Sequence, residues 1–393
     1  MRTLHLLKTS VGARWALLQM RELTRLGIEC HAVLPDDKSL AAQYVAAGVT
    51  VHVLDLNAAP LTPAFFDRAG ALRSLVTHLS PDVVHSHFVA TTLLMRYALR
   101  SLSCARTFQV PGPLHLENGV LARIEVASGG PSDYWIASCE WTRNRYRTLG
   151  VAAERVFLSH YGSDLDDCRL EAPGVVRAQL GLSDETRLVG MVAYCYKPKA
   201  YLGSRRGIKG HEDFIDAVGL LRRGGLDVIG VVAGGAWQGA EGYYAAVQAY
   251  ARANGDARVT FLGTRRDIAA IYADLDIAVH PSLSENLGGA AESLLFGVPT
   301  VTTNVGGFPD LIADGVTGRM VPPRDPANLA AAMRDLLADR NRASAMALEG
   351  RRHAQQLLDV RHTAGQVASI YAQIVEARRR VAGTTAVPVG AES

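Results

Sequence analysis

Short apolar runs of strand length alternate with longer stretches of helical period along almost the whole chain. Strands that read as near-continuous hydrophobic runs, separated by helices, belong to parallel sheets covered on both faces. In the first half the runs fall at 3–7, 29–34, 49–54, 82–86, 106–110, 134–138 and 156–159. Helical stretches lie between them, such as 14–25 and 65–78, and the first of these sets Leu17, Leu18, Met20, Leu23 and Leu26 near one face. The pattern then restarts, with runs at 188–193, 227–233, 258–262, 277–280 and 300–303 and helices after each, including 212–221 and 243–253. Two successive runs of this kind predict two doubly wound α/β domains. In such domains ligands bind beyond the carboxyl ends of the strands.

The periodicity breaks near 164–173, which predicts domains at 1–165 and 166–360. A final helical stretch at 361–381 has no strand after it and is expected to pack across both domains. The last residues, 382–393, are rich in Gly, Thr and Ala and read as a loose tail.

Composition narrows the function. Lys and Arg number 41 against 38 Asp and Glu, a net charge of +3, too even for bulk nucleic-acid binding yet compatible with a local basic pocket. Cys30, Cys104, Cys139, Cys168 and Cys195 are scattered and show no C-x-x-C spacing, so they read as reduced thiols and not as a disulfide frame or zinc site. The first residues carry too short an apolar run for a signal peptide, and no run of about 18 apolar residues exists. The expectation is a cytoplasmic protein with peripheral membrane contact at most. The basic cluster Arg378, Arg379 and Arg380 reads as a solvated helix end.

The most informative segment is 281–300, PSLSENLGGAAESLLFGVPT, which follows the run 277–280 and opens a helix near Gly288. Small residues at a helix start let unpaired backbone N–H groups approach a phosphate or sugar closely. Glu285 precedes the helix and Glu292 lies about one turn into it. Each carboxylate can accept two hydrogen bonds from vicinal hydroxyls, which suits a ribose and a hexose at opposite ends of one donor. The alternative is an ordinary helix start with a favourable acidic residue.

This segment resembles the signature of glycosyltransferase family 4, the retaining enzymes of GT-B fold. The family pattern is Glu, seven residues, Glu; here six residues separate Glu285 from Glu292, and Ser284 stands at the strict spacing. Segment 297–301, GVPTV, fits the family. VGGFPDLI at 305–312 resembles its Gly-Gly-x-Pro-Glu stretch with Asp310 in place of Glu, and GVTGRMVPP at 315–323 resembles its closing turn and strand. VTFLG at 259–263 resembles the stretch whose backbone, including Gly263, edges the nucleotide base, and VAGG at 232–235 matches the strand and turn before it. Singly these pieces are weak; their order and spacing over about 156–340 are specific.

The resemblance implies a nucleotide-sugar donor gripped by Asn286, Leu287, Gly288, Gly289 and Glu292, with Glu285 on the sugar. GIKGHE at 207–212 resembles the family's Lys-Gly step, so Lys209 is expected on the diphosphate. The Arg that the family places after the preceding strand is absent from GMVAY at 190–194. A basic insertion follows, and Arg205 or Arg206 is expected to fold back and supply the charge, or else to be a solvated loop residue. In the first half, Gly12 lies in the loop after the first run, where the family brings a glycine near the phosphate and Arg14 faces the acceptor. The loop is not a G-x-G-x-x-G fingerprint, which counts against a dehydrogenase. His85 and His87 resemble the family's His-x-His stretch, with His85 packed and His87 either packed or lining the cleft. After the run 106–110 the family places a His against the sugar; this chain has Gln109 there, and His115 is favoured for that role. Glu117 nearby is a candidate acceptor contact. The segment 159–164 resembles the crossover between domains, with Tyr161 replacing an Asn.

The expected activity is retaining transfer of a hexose or N-acetylhexosamine from a nucleotide-sugar, with UDP favoured by family weight, to a hydroxyl acceptor of a cell-surface glycan or natural product. Catalysis is expected to need no cofactor and no essential metal. The alternatives are a nucleotide-sugar epimerase of the same fold, a two-domain sugar-binding protein and a non-catalytic GT-B scaffold.

Overall fold

The computed structural model describes residues 1–109, 111–183, 185–199, 203 and 205–384. Among them, strands β1 (Arg2–Leu6), β2 (Glu29–Leu34), β3 (Thr50–Val53), β4 (Val83–Ser86), β5 (Ala105–Gln109), β6 (Asp133–Ala137) and β7 (Val156–Leu158) form one sheet in the order β3-β2-β1-β4-β5-β6-β7. A second sheet holds β8 (Arg187–Val192), β9 (Val228–Ala233), β10 (Val259–Gly263), β11 (Ile277–His280), β12 (Thr300–Thr303) and β13 (Arg319–Val321) in the order β10-β9-β8-β11-β12-β13. Their ladders are parallel throughout. Each sheet therefore reverses its winding once, between β1 and β4 and between β8 and β11. Those two switch points are where a doubly wound sheet leaves a crevice beyond its strand ends.

Every run expected in the sequence is a strand, shifted by a residue or two at its ends. The expected strand end at Val110 lies outside the described residues. The first helix is Arg14–Arg25, and its Leu17, Leu18, Met20 and Leu23 are buried as expected. Leu26 is not: it is the C-cap and is 55% exposed, because the helix stops one residue before it. Local chemistry sets other boundaries. Pro63 starts the helix Pro63–Leu79 and the Thr62 hydroxyl accepts from the Phe65 N–H, and Pro326 with Asp325 does the same for Pro326–Ala338.

The chain divides into two compact units. One comprises residues 1–111, 119–163 and 358–393, the other residues 112–118 and 164–357. The last helix, Val360–Thr384, is counted with the first unit. Its Ala364, Val367, Ile370, Tyr371 and Ile374 complete that unit's core beside Leu17, Met20 and Leu23. Helix continues through residues 382–384, where a loose tail was expected; 385–393 lie outside the described residues. The second unit packs Val189, Met191, Val232 and Val279 on one face of its sheet and Leu188, Ile229, Val231 and Ala278 on the other.

Candidate functional site

At the switch point of the second sheet β8 and β11 run side by side, with Val189 opposite Ile277 and Gly190 opposite Ala278. The loop after β11 leads into the helix Gly288–Leu295, whose N-cap, Leu287, makes no capping bond through its side chain. The backbone N–H groups of its first turn are thus left for a ligand. Gly288 turns the chain with φ +42°. At Gly289 a Cβ would stand 2.8 Å from the His280 ring and 3.0 Å from the Val192 carbonyl, so glycine lets the helix start lie flush on the strand ends.

The neighbouring loops are locked onto this one by contacts that only glycine permits. Gly210 has φ +72°, and a Cβ there would meet the Pro281 carbonyl at 1.9 Å. That approach, with the Leu283 N–H donating to the Ile208 carbonyl at 2.7 Å, carries Lys209 to the loop. Gly306 has φ +52°, and its Cβ would meet the Glu285 carbonyl at 1.7 Å. The Gly307 N–H donates to the Asn286 carbonyl at 3.0 Å, and the Thr303 hydroxyl to the Ser282 carbonyl at 2.6 Å. The glycines of the 207–212 and 305–312 segments therefore hold the backbone of 281–287 from two sides.

Between these loops Lys209 Nζ and Glu285 Oε2 form a contact ion pair, with 16% and 12% of the two side chains exposed. The Asn286 N–H donates to Glu285 Oε1 at 3.1 Å. Burial pulls the Lys209 ammonium down, but the adjacent Glu285 charge outweighs it, and Lys209 stays cationic with its pKa above the usual value. Its Nζ lies 5.8 Å from the Tyr196 ring centroid. Glu292 is open to solvent on one side and crowded by protein on the others, as a group lining a concave surface is. That crowding raises its carboxyl, while a hydrogen bond from Tyr272 and the Lys209 charge oppose the rise. Ser284 Oγ and Asn286 Oδ1 are buried without a directed hydrogen bond. His280 and His211, fully buried beneath the site, are lowered by desolvation to about 3 and about 4 and are neutral at physiological pH.

The structure thus brings together Lys209, Glu285, Asn286, Leu287, Gly288, Gly289 and Glu292. Gly263, with φ +67°, ends β10, and its carbonyl accepts from the Gly234 N–H at 2.8 Å. Arg206 is placed elsewhere. It pairs with the buried Asp213 and, at 3.4 Å, with Asp216, and lies 5.8 Å from the Tyr250 ring centroid, so its charge is held by the helix His211–Arg223. Arg205 is exposed, and Ala200, Tyr201, Leu202 and Ser204 of the same insertion lie outside the described residues. His115 is buried in the short helix Leu114–Glu117, which is counted with the second unit. Gln109 is fully buried in the first unit, donating to the Ser159 carbonyl at 2.8 Å and accepting from Gln19 at 3.2 Å, which gives it a core role. Gly12, with φ +73°, sits in an exposed loop of the first unit. Tyr272, whose hydroxyl faces Glu292 and lies 3.3 Å from the Gly289 carbonyl, was not anticipated; in the sequence it is one more apolar position of a helix.

At the first sheet's switch point His5 pairs in register with His85, and His87 follows. All three are fully buried. The Tyr161 hydroxyl donates to the Gln109 carbonyl at 3.1 Å, so it accepts from His87 Nδ1 at 2.8 Å. His87 Nε2 is then the acceptor for His5 Nδ1–H at 3.0 Å, which leaves His5 Nε2 without a partner. Burial lowers all three, His5 to about 3. Their nitrogens lie within 4.8 Å of one another, but the rings stack at interplanar angles of 14°, 21° and 31°. The nitrogens His5 Nδ1, His87 Nε2 and His87 Nδ1 are taken up by hydrogen bonds within the cluster and to Tyr161. His87 is thus packed and does not line an opening.

Comparison with known proteins identifies the family and the fold. A D-inositol 3-phosphate glycosyltransferase of Mycolicibacterium vanbaalenii is 29% identical over 333 residues, which are 78% of this chain and 70% of that protein. One of Corynebacterium aurimucosum is 30% identical over 248 residues, 60% and 56% of the two chains. For most relatives of that name the chain spans less than two thirds of their length. Among solved structures, Anabaena HepE in complex with UDP-glucose superposes with a TM-score of 0.75 at 21% identity, covering 96% of this chain and 99% of that one. The sucrose-phosphate synthase of Thermosynechococcus elongatus gives 0.79 at 18% identity, covering 96% and 100%. No helix among the described residues is long and apolar enough to cross a membrane. The family model for a glycosyl transferase 4-like domain matches residues 12–162 and that for glycosyl transferases group 1 matches residues 200–339, so this chain belongs to the group 1 glycosyltransferases, a family of transferase enzymes with two Rossmann-like domains in the GT-B fold.

Proposed function

We propose that the chain transfers a hexose or N-acetylhexosamine, with retention, from a UDP-sugar to a hydroxyl acceptor, using its own residues and no essential metal. The observation that carries the reading is the Lys209–Glu285 pair beside an uncapped, glycine-led helix start, with Glu292 one turn further on. Support for a UDP donor is the likeness to HepE, whose complexes hold UDP and UDP-glucose. The relatives' activity toward D-inositol 3-phosphate supports a small polyol or sugar acceptor in a surface-glycan or natural-product pathway.

In this reading the diphosphate lies against Lys209 and the N–H groups of Gly288 and Gly289. Glu292 accepts hydrogen bonds from the ribose, and Gly263 edges the base. The bond between the anomeric carbon and the diphosphate oxygen breaks as the acceptor oxygen bonds to the same face of that carbon. The departing diphosphate takes the acceptor's proton. Lys209 and the helix start stabilise the charge that grows on the leaving group, which is worth about 10²–10³ in rate per contact. Calorimetry and nucleotide release with UDP-, GDP- and dTDP-sugars test this. Tight binding of one donor by the wild type, lost in Lys209→Ala and Glu292→Ala, is expected. Wild-type protein that binds none of these donors would overturn it.

A further inference from the structure

The second unit contains one carboxylate that its own stretch of chain does not supply. Residues 112–118 interrupt the first unit and are counted with the second. They turn on Pro113, whose carbonyl accepts from the Leu116 N–H at 2.7 Å and the Glu117 N–H at 3.2 Å. Leu116 is fully buried and His115 nearly so, which anchors the short helix. Glu117 at its end is half-buried. Its carboxyl stands beside the Ser284 hydroxyl, without the directed geometry of a full hydrogen bond, and near Glu285.

Position 284 is eight residues before Glu292, and serine there ends at a buried hydroxyl that has no directed partner. Glu285 does not fill the place, because Lys209 and the Asn286 N–H occupy its two oxygens. A diphosphate that draws on Lys209 still needs Glu285 nearby to keep the lysine positioned. The carboxylate left to face an adjacent ligand is Glu117.

We propose that Glu117 binds the hydroxyls of the donor's sugar, reaching from residues 112–118 into the place beside Ser284 that a serine is too short to fill. The proposal rests on the reading above that the second unit binds a nucleotide-sugar. A carboxylate accepting from two vicinal hydroxyls discriminates sugars by the orientation of those hydroxyls, so Glu117 also sets donor selectivity. Burial raises the Glu117 carboxyl, the neighbouring Ser284 lowers it and the Glu285 charge raises it further, so bound hydroxyls would replace solvation that this group has partly lost.

The experiment compares UDP with UDP-glucose and UDP-N-acetylglucosamine, and GDP with GDP-mannose, by calorimetry on the full chain. For Glu117→Gln the nucleoside diphosphate is expected to bind as to the wild type. The sugar nucleotide is expected to bind about 10- to 100-fold more weakly, the range for one charged hydrogen bond. Adding Ser284→Glu to that variant is expected to return part of the loss. Equal weakening of nucleotide and sugar nucleotide, or no weakening of either, would overturn the assignment. If Glu117→Gln does not fold, Glu117→Asp, which keeps the charge and retracts it, takes its place with the same expected split. Failure of the wild type to bind any nucleotide overturns the donor reading itself and the proposal with it, whereas nucleotide binding with an unaltered sugar increment overturns Glu117 alone.

Discussion

Acidification should unfold the first unit in a way that depends on His5. In the folded chain burial holds His5 at about 3, against 6.5 for the free side chain, and its Nε2 has no partner to receive a proton's charge. A lowered folded value means that the neutral form is favoured in the native state. This contribution is unaffected above the unfolded value and is lost as pH falls from 6.5 toward 3. At about pH 5 the unfolded chain holds nearly one proton on this group and the native chain almost none. The cost is RT times the logarithm of the ratio of binding polynomials, about 2 kcal/mol relative to about pH 7.5. His85 and His87 are lowered in the same direction, His85 by burial and then by His87 and His5, His87 by burial and then by His5, so they add to the loss. The assay is urea unfolding at both pH values followed by tryptophan fluorescence, since Trp15 lies 5.4 Å from the His87 ring centroid. Other groups titrate too, so the informative quantity is the difference between wild type and His5→Asn, whose amide can still donate to His87. The variant should lose about 2 kcal/mol less on acidification. Identical pH slopes for the two proteins would refute the assignment of a neutral, proton-resisting His5.

Two further outcomes follow from buried contacts. In the first unit Arg106 makes paired bonds of 3.0 and 2.8 Å to Asp133, and Arg96 pairs with Glu125 at 2.7 Å, all of them buried. Arg106→Ala takes from Asp133 one of its two arginines, leaving Arg96 at 3.3 Å and the Gly130 N–H at 2.7 Å, and should cost about 1.5–3 kcal/mol in denaturant unfolding; a loss under about 1 kcal/mol would mean water enters the cluster. Gly210→Ala adds a Cβ at 1.9 Å from a backbone carbonyl, at a φ that side chains rarely adopt. It should weaken donor binding at least as much as Lys209→Ala by displacing the lysine's loop, and unchanged donor affinity would show that this glycine contact does not place Lys209.

The alternation of apolar runs and helical stretches carries most of the fold because a parallel strand buried on both faces leaves a nearly unbroken hydrophobic record. Val228–Ala233, for example, is buried at all six positions. Boundaries are less legible where burial fades, as at Leu26, whose hydrophobicity suggests the helix face but which lies past its end. The roles of the glycines could be placed in the sequence but not explained. That Gly210 and Gly306 are needed by carbonyls of the 281–285 loop depends on segments far apart in the chain. Arg206 shows the opposite failure. A basic run suggests a cation for a phosphate, yet Asp213 and Asp216, on the helix that follows, are nearer partners and hold it. Nothing in a linear pattern says that residues 112–118 belong with the second unit, and in the sequence Glu117 reads as a candidate acceptor contact.

The displaced acidic residue and the missing arginine have one physical explanation. The backbone of 281–287 is held by the Gly210–Pro281 contact on one side and by the Gly306–Glu285 contact on the other, with Thr303 bonded to Ser282 between them. A loop fixed in this way cannot slide to restore a spacing, so moving the carboxylate from position 284 to 285 changes the direction in which it projects. At 285 it meets Lys209 and neutralises it. Without an arginine after β8, and with Arg206 paired to Asp213, Lys209 is the cation that the described residues place beside Glu285 and Glu292. An unpaired, buried ammonium would lose its charge to desolvation; Glu285 keeps it protonated and aimed, ready for a stronger anion. The carboxylate at 285 thus keeps Lys209 charged, while position 284 is left with a serine beside Glu117.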